Sequence, residues 1–133
     1  MRLALMLTAV WFVFDAAVAA PTLEIDISTT ADRSSVVERP TVAGTVTDPN
    51  ATVWLVVHPM AVSDYWVQPA VTIRRDGSWK VQIYIGRPGN VDVGKRFEIR
   101  AVANPKARLR EGLVLGGWPE AEAISDVIEV ERR

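Results

Sequence analysis

The sequence predicts an all-β fold, an antiparallel β-sandwich of seven to eight strands, and three observations carry that expectation. From Pro21 onward, short β-branched or aromatic runs alternate with Gly, Pro, Asn and Asp punctuation. Several runs keep a period of two, with apolar residues on one side and polar residues on the other. No stretch of useful length repeats with the period of a helix.

The amino-terminal segment reads differently. Met1 and Arg2 make a short basic start, and Leu3 to Phe14 is an apolar run of 12 residues interrupted only by Thr8. Asp15 then breaks the run before Ala16-Ala17-Val18-Ala19-Ala20-Pro21. A spanning helix needs about 20 predominantly apolar residues, so this is the length of a signal-peptide helix, with Ala17-Val18-Ala19 as its A-x-A cleavage site. Cutting after Ala20 would put the ring of Pro21 beside the scissile bond, so the cut is expected after Ala19. The alternative is an uncleaved membrane anchor. The expected division is a signal peptide over 1–19 and one domain over 20–133.

Within the domain, Thr22 to Ile27 reads as the first strand, with Leu23, Ile25 and Ile27 on one face. Val42, Gly44 and Val46 alternate with Ala43, Thr45 and Thr47 in a second, closed by the turn Asp48-Pro49-Asn50. Thr52 to His58 is a third. Tyr65 to Ile73 follows as an edge strand, because Pro69 cannot donate to a ladder. Asp76-Gly77 marks a hairpin turn. After it, Trp79, Val81, Ile83 and Ile85 share one face opposite Lys80, Gln82 and Tyr84. Phe97, Ile99, Ala101 and Ala103 repeat the device opposite Glu98 and Arg100, and Ile124 to Glu131 closes the sheet. The 20 residues from Asn104 to Ala123 are long for a structureless loop, and a short hairpin or strand is expected at Leu109 to Leu115.

Charge and cysteine usage exclude several functions. The chain carries 15 Lys+Arg against 16 Asp+Glu, scattered along its length. That is no footprint for nucleic acid or, after signal cleavage, for a membrane, because counterion release needs clustered cations. With no cysteine there is no disulfide, thiolate nucleophile or Cys-ligated metal. Small secreted animal domains are often disulfide-stabilised, so the composition leans towards a bacterial envelope.

The order Val42-Ala43-Gly44, Pro49-Asn50-Ala51-Thr52-Val53, Asp76-Gly77-Ser78-Trp79 and Gly94-Lys95-Arg96-Phe97 resembles the bacterial immunoglobulin-like modules of surface and envelope proteins. Those modules show a G-x-x-x-x-P-x-A-x-V turn, a D-G-x-W turn and a G-x-x-[YF] strand in that order. The resemblance covers roughly residues 40–104 and part of the last strand, and implies a sandwich used for binding or architecture. Two departures stand out: the aromatic insertion from Pro59 to Pro69, and the segment from Lys106 to Glu120 in place of a tight connection.

No catalytic or metal constellation is expected. The only histidine, His58, lies five and six positions before Ser63 and Asp64, a spacing that does not guarantee a triad. Asp76 and Asp92 read as turn residues, and Glu120/Glu122 and Glu129/Glu131 as solvated faces. No calcium-loop motif is present and no cofactor is expected. Asn50-Ala51-Thr52 is a sequon that matters only on a eukaryotic secretory route.

The aromatics are the candidate binding residues. The third strand is apolar on both faces: Val53, Leu55 and Val57 on one, Trp54, Val56 and His58 on the other. The resemblance implies an immunoglobulin-like order in which this strand pairs with the one from Phe97 to Ala103, which would set the second group beside Glu98, Arg100 and Val102. Trp54, His58 and Arg100, with Tyr65, Trp66 and Trp118 from the two insertions, are therefore expected to contact a protein or glycan partner. In the alternative, the Tyr65-Trp66 insertion or the Leu113 to Trp118 segment folds over that face as a second, smaller core, making the domain purely architectural. A small hydrolase or inhibitor using His58 is the third reading.

Overall fold

In the computed structural model, residues 8–11 and 22–133 are described. The expected leader and its cleavage point lie outside the described residues except for 8–11, which form neither helix nor strand. Among the described residues no helix is long and apolar enough to cross a membrane.

The described residues are all-β. Among them eleven strands follow in order: β1 Ile25–Thr29, β2 Ser34–Val36, β3 Thr41–Val46, β4 Val53–Pro59, β5 Tyr65–Val67, β6 Thr72–Ile73, β7 Ser78–Gln82, β8 Arg96–Pro105, β9 Val114–Leu115, β10 Ala121–Ile124 and β11 Ile128–Arg132. A four-stranded sheet runs β1-β3-β7-β6, and a seven-stranded sheet runs β2-β11-β8-β4-β5-β9 with β10 also paired to β8. The pairings are antiparallel except β2 with β11, which is parallel.

The two sheets enclose one core, a β-sandwich. Val42 and Val46 of β3 and Trp79 and Val81 of β7 face Leu55 and Val57 of β4 and Phe97, Ile99, Ala101 and Ala103 of β8. This is the inner set that alternation assigned. Its local turns are equally legible: Asp48 Oδ1 accepts from the Asn50 amide at 2.9 Å after β3. Asp76 Oδ1 accepts from the Ser78 amide at 2.9 Å, and Gly77 takes φ 83° between β6 and β7, a conformation glycine adopts without strain.

Three expected strands are revised. The run from Tyr65 to Ile73 is not one edge strand. β5 pairs with β4 in the larger sheet, β6 pairs with β7 in the smaller, and the chain crosses between them at Gln68 to Val71. Pro69 sits in that crossing, where no ladder hydrogen bond is required of it. The last strand is two, β10 and β11, broken at Ser125, whose hydroxyl accepts the Ala101 amide at 2.9 Å and donates to the Asp126 carbonyl. Strand structure also stops at Gln82, although Ile83 and Ile85 continue the inward alternation by donating to the Pro40 and Glu38 carbonyls. The long segment after β8 contributes β9, at the end of the expected stretch from Leu109 to Leu115.

Candidate binding site

A second apolar cluster lies on the outer face of β4 and β8. Val56, Val67, Val102 and Leu109 are buried there, with Trp54, Tyr65, Leu113, Leu115, Trp118 and Ala121 packed against them. The sheet itself explains it: Val56 pairs opposite Arg100 and Trp54 opposite Val102, so the doubly apolar β4 presents its second face outward. β5 extends that face, β9 extends β5, and the segment carrying Trp118 folds over the top.

This placement brings together five of the six candidate residues. His58 stacks on Tyr65 with ring centroids 4.0 Å apart and planes 5° from parallel. Trp118 stands edge-on to Tyr65 at 4.8 Å and to His58 at 6.1 Å. The Arg100 guanidinium lies 5.1 Å from the Trp118 ring centroid, within cation–π range. Trp54 packs against the same cluster from its far end of β4. Each of the five is half-buried, so this face supports its own interior as well as meeting solvent.

His58 is held at both nitrogens. Nδ1 lies 2.8 Å from Glu98 Oε1 and Nε2 lies 2.7 Å from the Val62 carbonyl. Both partners are acceptors, so a neutral ring can donate to one of them and the imidazolium to both. Neither Ser63 nor Asp64 takes part in these contacts. The ring acts as a clasp between β8 and the loop after β4.

Trp66 is separate from the other five. β5 pairs Val57 with Trp66 and Val56 with Val67, which puts Trp66 on the inner face of the sheet while Tyr65 points outward. Trp66 is nevertheless 42% exposed, because at this end the opposite sheet does not cover it. It forms one wall of a cleft of about 600 Å³, a volume typical of small-ligand sites. Val57 and Phe97 lie at the sandwich end of the cleft, Val62 and Pro69 belong to the insertion, and Tyr84 forms a further wall. Tyr84 is 46% exposed and carries Arg39 stacked 3.7 Å from its ring centroid.

Arg87, Lys95 and Arg96 supply the cationic lining. The loop from Gly86 to Lys95 is built around Asp92, which is buried and not the plain turn residue that the sequence suggested. Arg87 donates to it from its backbone amide at 2.7 Å and from its side chain at 3.0 and 3.2 Å, and Lys95 Nζ donates at 2.9 Å. The Arg87 side chain and amide, then Lys95, hold the Asp92 carboxyl well below the usual carboxylate range. Gly86 adopts φ 76° against Asp92, and a Cβ there would sit 2.9 Å from that carboxylate.

The Asp92 contacts predict a pH dependence. A carboxyl depressed in the folded state contributes stability above its ordinary value of 3.8, and loses that contribution as pH falls from there towards the folded value. Asp92→Asn is expected to lower stability by about 2 kcal/mol at neutral pH. The deficit should shrink in urea titrations carried out below pH 3.8. An equal deficit at both pH values would overturn the assignment.

The cleft residues Tyr84, Arg87, Asp92, Lys95, Arg96 and Phe97 were not among the sequence candidates. The period of two did hold one signal, since it places Tyr65 and Trp66 on opposite faces. No protein-family model, curated protein or solved structure matches the chain.

Proposed function

We propose that this chain is an exported, non-catalytic binding module of immunoglobulin-like architecture, and that its contact site is the cleft walled by Trp66. The strand order supports the architecture. An immunoglobulin sandwich places strands A-B-E-D in one sheet and G-F-C in the other, and β1-β3-β7-β6 and β11-β8-β4 reproduce those orders, with β5 added beside β4. Export, to the periplasm or outside the cell, rests on the basic start, the apolar run and the Ala17-Val18-Ala19 site.

One observation carries the binding reading: Trp66 is half-exposed on the inner face of its sheet, at the wall of an apolar cleft. Elsewhere on the inner faces of the described residues the large side chains are buried or partly buried. Of the two expected partner classes, a glycan suits the cleft less well. Gln68 donates to the Trp66 carbonyl and accepts from the Tyr84 amide, and Asp92 is saturated by Arg87 and Lys95, so sugar hydroxyls would find few acceptors for their protons. An apolar ligand or segment fits the lining. The architectural reading keeps one observation in its favour, the packing of Trp54, Tyr65 and Trp118 into the second cluster.

An uncharged solvatochromic dye such as Nile red tests the choice. Its emission is expected to shift to the blue on mixing with the full chain, and the shift should disappear in Trp66→Ala and in Val62→Asp, a substitution at a residue that is 49% exposed. Dye that fails to bind, or binds equally to both variants, would leave the architectural reading standing instead.

A further inference from the structure

We infer that the cleft takes a single-chain anionic amphiphile, a long-chain carboxylate with its alkyl tail against Trp66, Val62 and Phe97 and its head at Lys95 and Arg87; this rests on the binding reading above. The hydrogen-bond inventory of the lining points to it. Asp92, the acceptor side chain that the Gly86 to Lys95 loop gives to the lining, is already engaged by donors from Arg87 and Lys95. Gln68, 4% exposed, spends its amide on the Trp66 carbonyl and the Tyr84 amide.

What remains on that wall is donors. Lys95 Nζ has three N–H groups and gives one to Asp92; the Arg87 guanidinium gives two of its five. Their side chains are 51% and 66% exposed, and two cations sharing one carboxylate leave one positive charge in excess. Arg96 gives Nη1 to Glu129 and keeps its other donors. Glu111, the remaining acid of the lining, belongs to the β5–β9 side.

A ligand matched to this surface brings an apolar body without hydrogen-bonding groups of its own and an anionic acceptor at one end. A peptide segment fits less well, because each residue brings a backbone N–H and C=O that would need partners in an apolar cleft. An acyl chain brings none. Its gain comes from methylenes removed from water, and its carboxylate meets charge-assisted donors.

The test is a series of saturated carboxylates from octanoate to tetradecanoate, each kept below its micelle threshold, displacing Nile red from the full chain. Affinity is expected to rise about fourfold per added methylene until the cleft is filled. The alcohol of matching length should bind about tenfold more weakly, and Lys95→Gln should weaken the carboxylate by about the same factor while leaving the alcohol unchanged. Lys95→Gln removes one of the bonds to Asp92 and keeps those of Arg87, so only a small drop in thermal midpoint is expected, and the unchanged alcohol affinity separates a lost anion contact from lost folding.

Affinity independent of chain length, an alcohol that equals the carboxylate, or a Lys95→Gln variant that binds as tightly would each overturn the proposal. So would binding to anionic vesicles without binding to the monomeric carboxylate. If Nile red binds at Trp66 and no carboxylate displaces it, the amphiphile falls and the binding module stands. If the dye does not bind, both fall.

Discussion

Gly44→Ala is expected to destabilise the domain by about 3 kcal/mol or more, lowering the thermal midpoint by on the order of 10 °C. Gly44 lies in β3 on the same face as Val42 and Val46, opposite Trp79 of β7 in register. A Cβ built there runs into the Asp26 carbonyl oxygen and the Trp79 indole. The carbonyl belongs to β1, the neighbouring strand, so relief requires β1 to move away from β3 or Trp79 to leave its place in the core. Trp79 is 3% exposed and has nowhere to go without opening a void. Urea titration measures the loss. Combining Gly44→Ala with Trp79→Phe should cost less than the two singles added together, because the smaller ring gives back part of the space. Strict additivity would mean that the indole does not cause the effect.

Alternation alone makes this position legible: Val42, Gly44 and Val46 share a face, and a glycine between two valines in a strand marks a close approach. The same periodicity assigned Trp79, Val81, Ile83 and Ile85, and Phe97, Ile99, Ala101 and Ala103, to the core, and all eight are buried. A period of two reports which side of a strand faces inward, and inside a sandwich that is most of the answer.

Sheet membership escaped it. Tyr65 to Ile73 has the composition of one strand, yet its two halves serve different sheets, and only the tertiary pairing of Val57 with Trp66 and of Ile73 with Trp79 decides the split. β2 was missed for a related reason. Ser34 to Val36 pairs parallel with Val130 to Arg132, nearly a full chain away, and a partner that distant leaves no local signature. The doubly apolar face of β4 was readable, and both expected coverings contribute: Tyr65 from one insertion and Trp118 from the other. The cleft was not. Its cationic wall is assembled from a glycine-rich loop and the first residue of β8, braced by Arg132 of β11, in residue types that read as ordinary surface.

The hub of that wall is Arg132, and Arg132→Met is expected to cost about 3 kcal/mol. The side chain is 4% exposed in β11, and its Nη1 donates to the carbonyls of Ile85 at 2.8 Å and Arg87 at 2.9 Å. Nη2 donates to the Gly89 carbonyl at 2.7 Å, and Glu38 lies 3.8 Å away. One planar guanidinium thus satisfies three carbonyls, those of Ile85 just before the loop and of Arg87 and Gly89 within it. Methionine fills much of the volume and satisfies none of them. Lysine keeps the charge but cannot reproduce the fork, so Arg132→Lys should recover only part of the loss. The damage should be local: amide hydrogen exchange is expected to speed up at Arg87 and Lys95, whose amides bond to Asp92, while the amides of β4 and β8 stay protected. Displacement of Nile red by the carboxylate should weaken with the loop, because Arg87 and Lys95 are no longer held at the rim to meet the anionic head. Exchange that accelerates uniformly through the sandwich, or an Arg132→Lys variant as stable as the native chain, would show that this arginine supports the core generally and not the cleft wall.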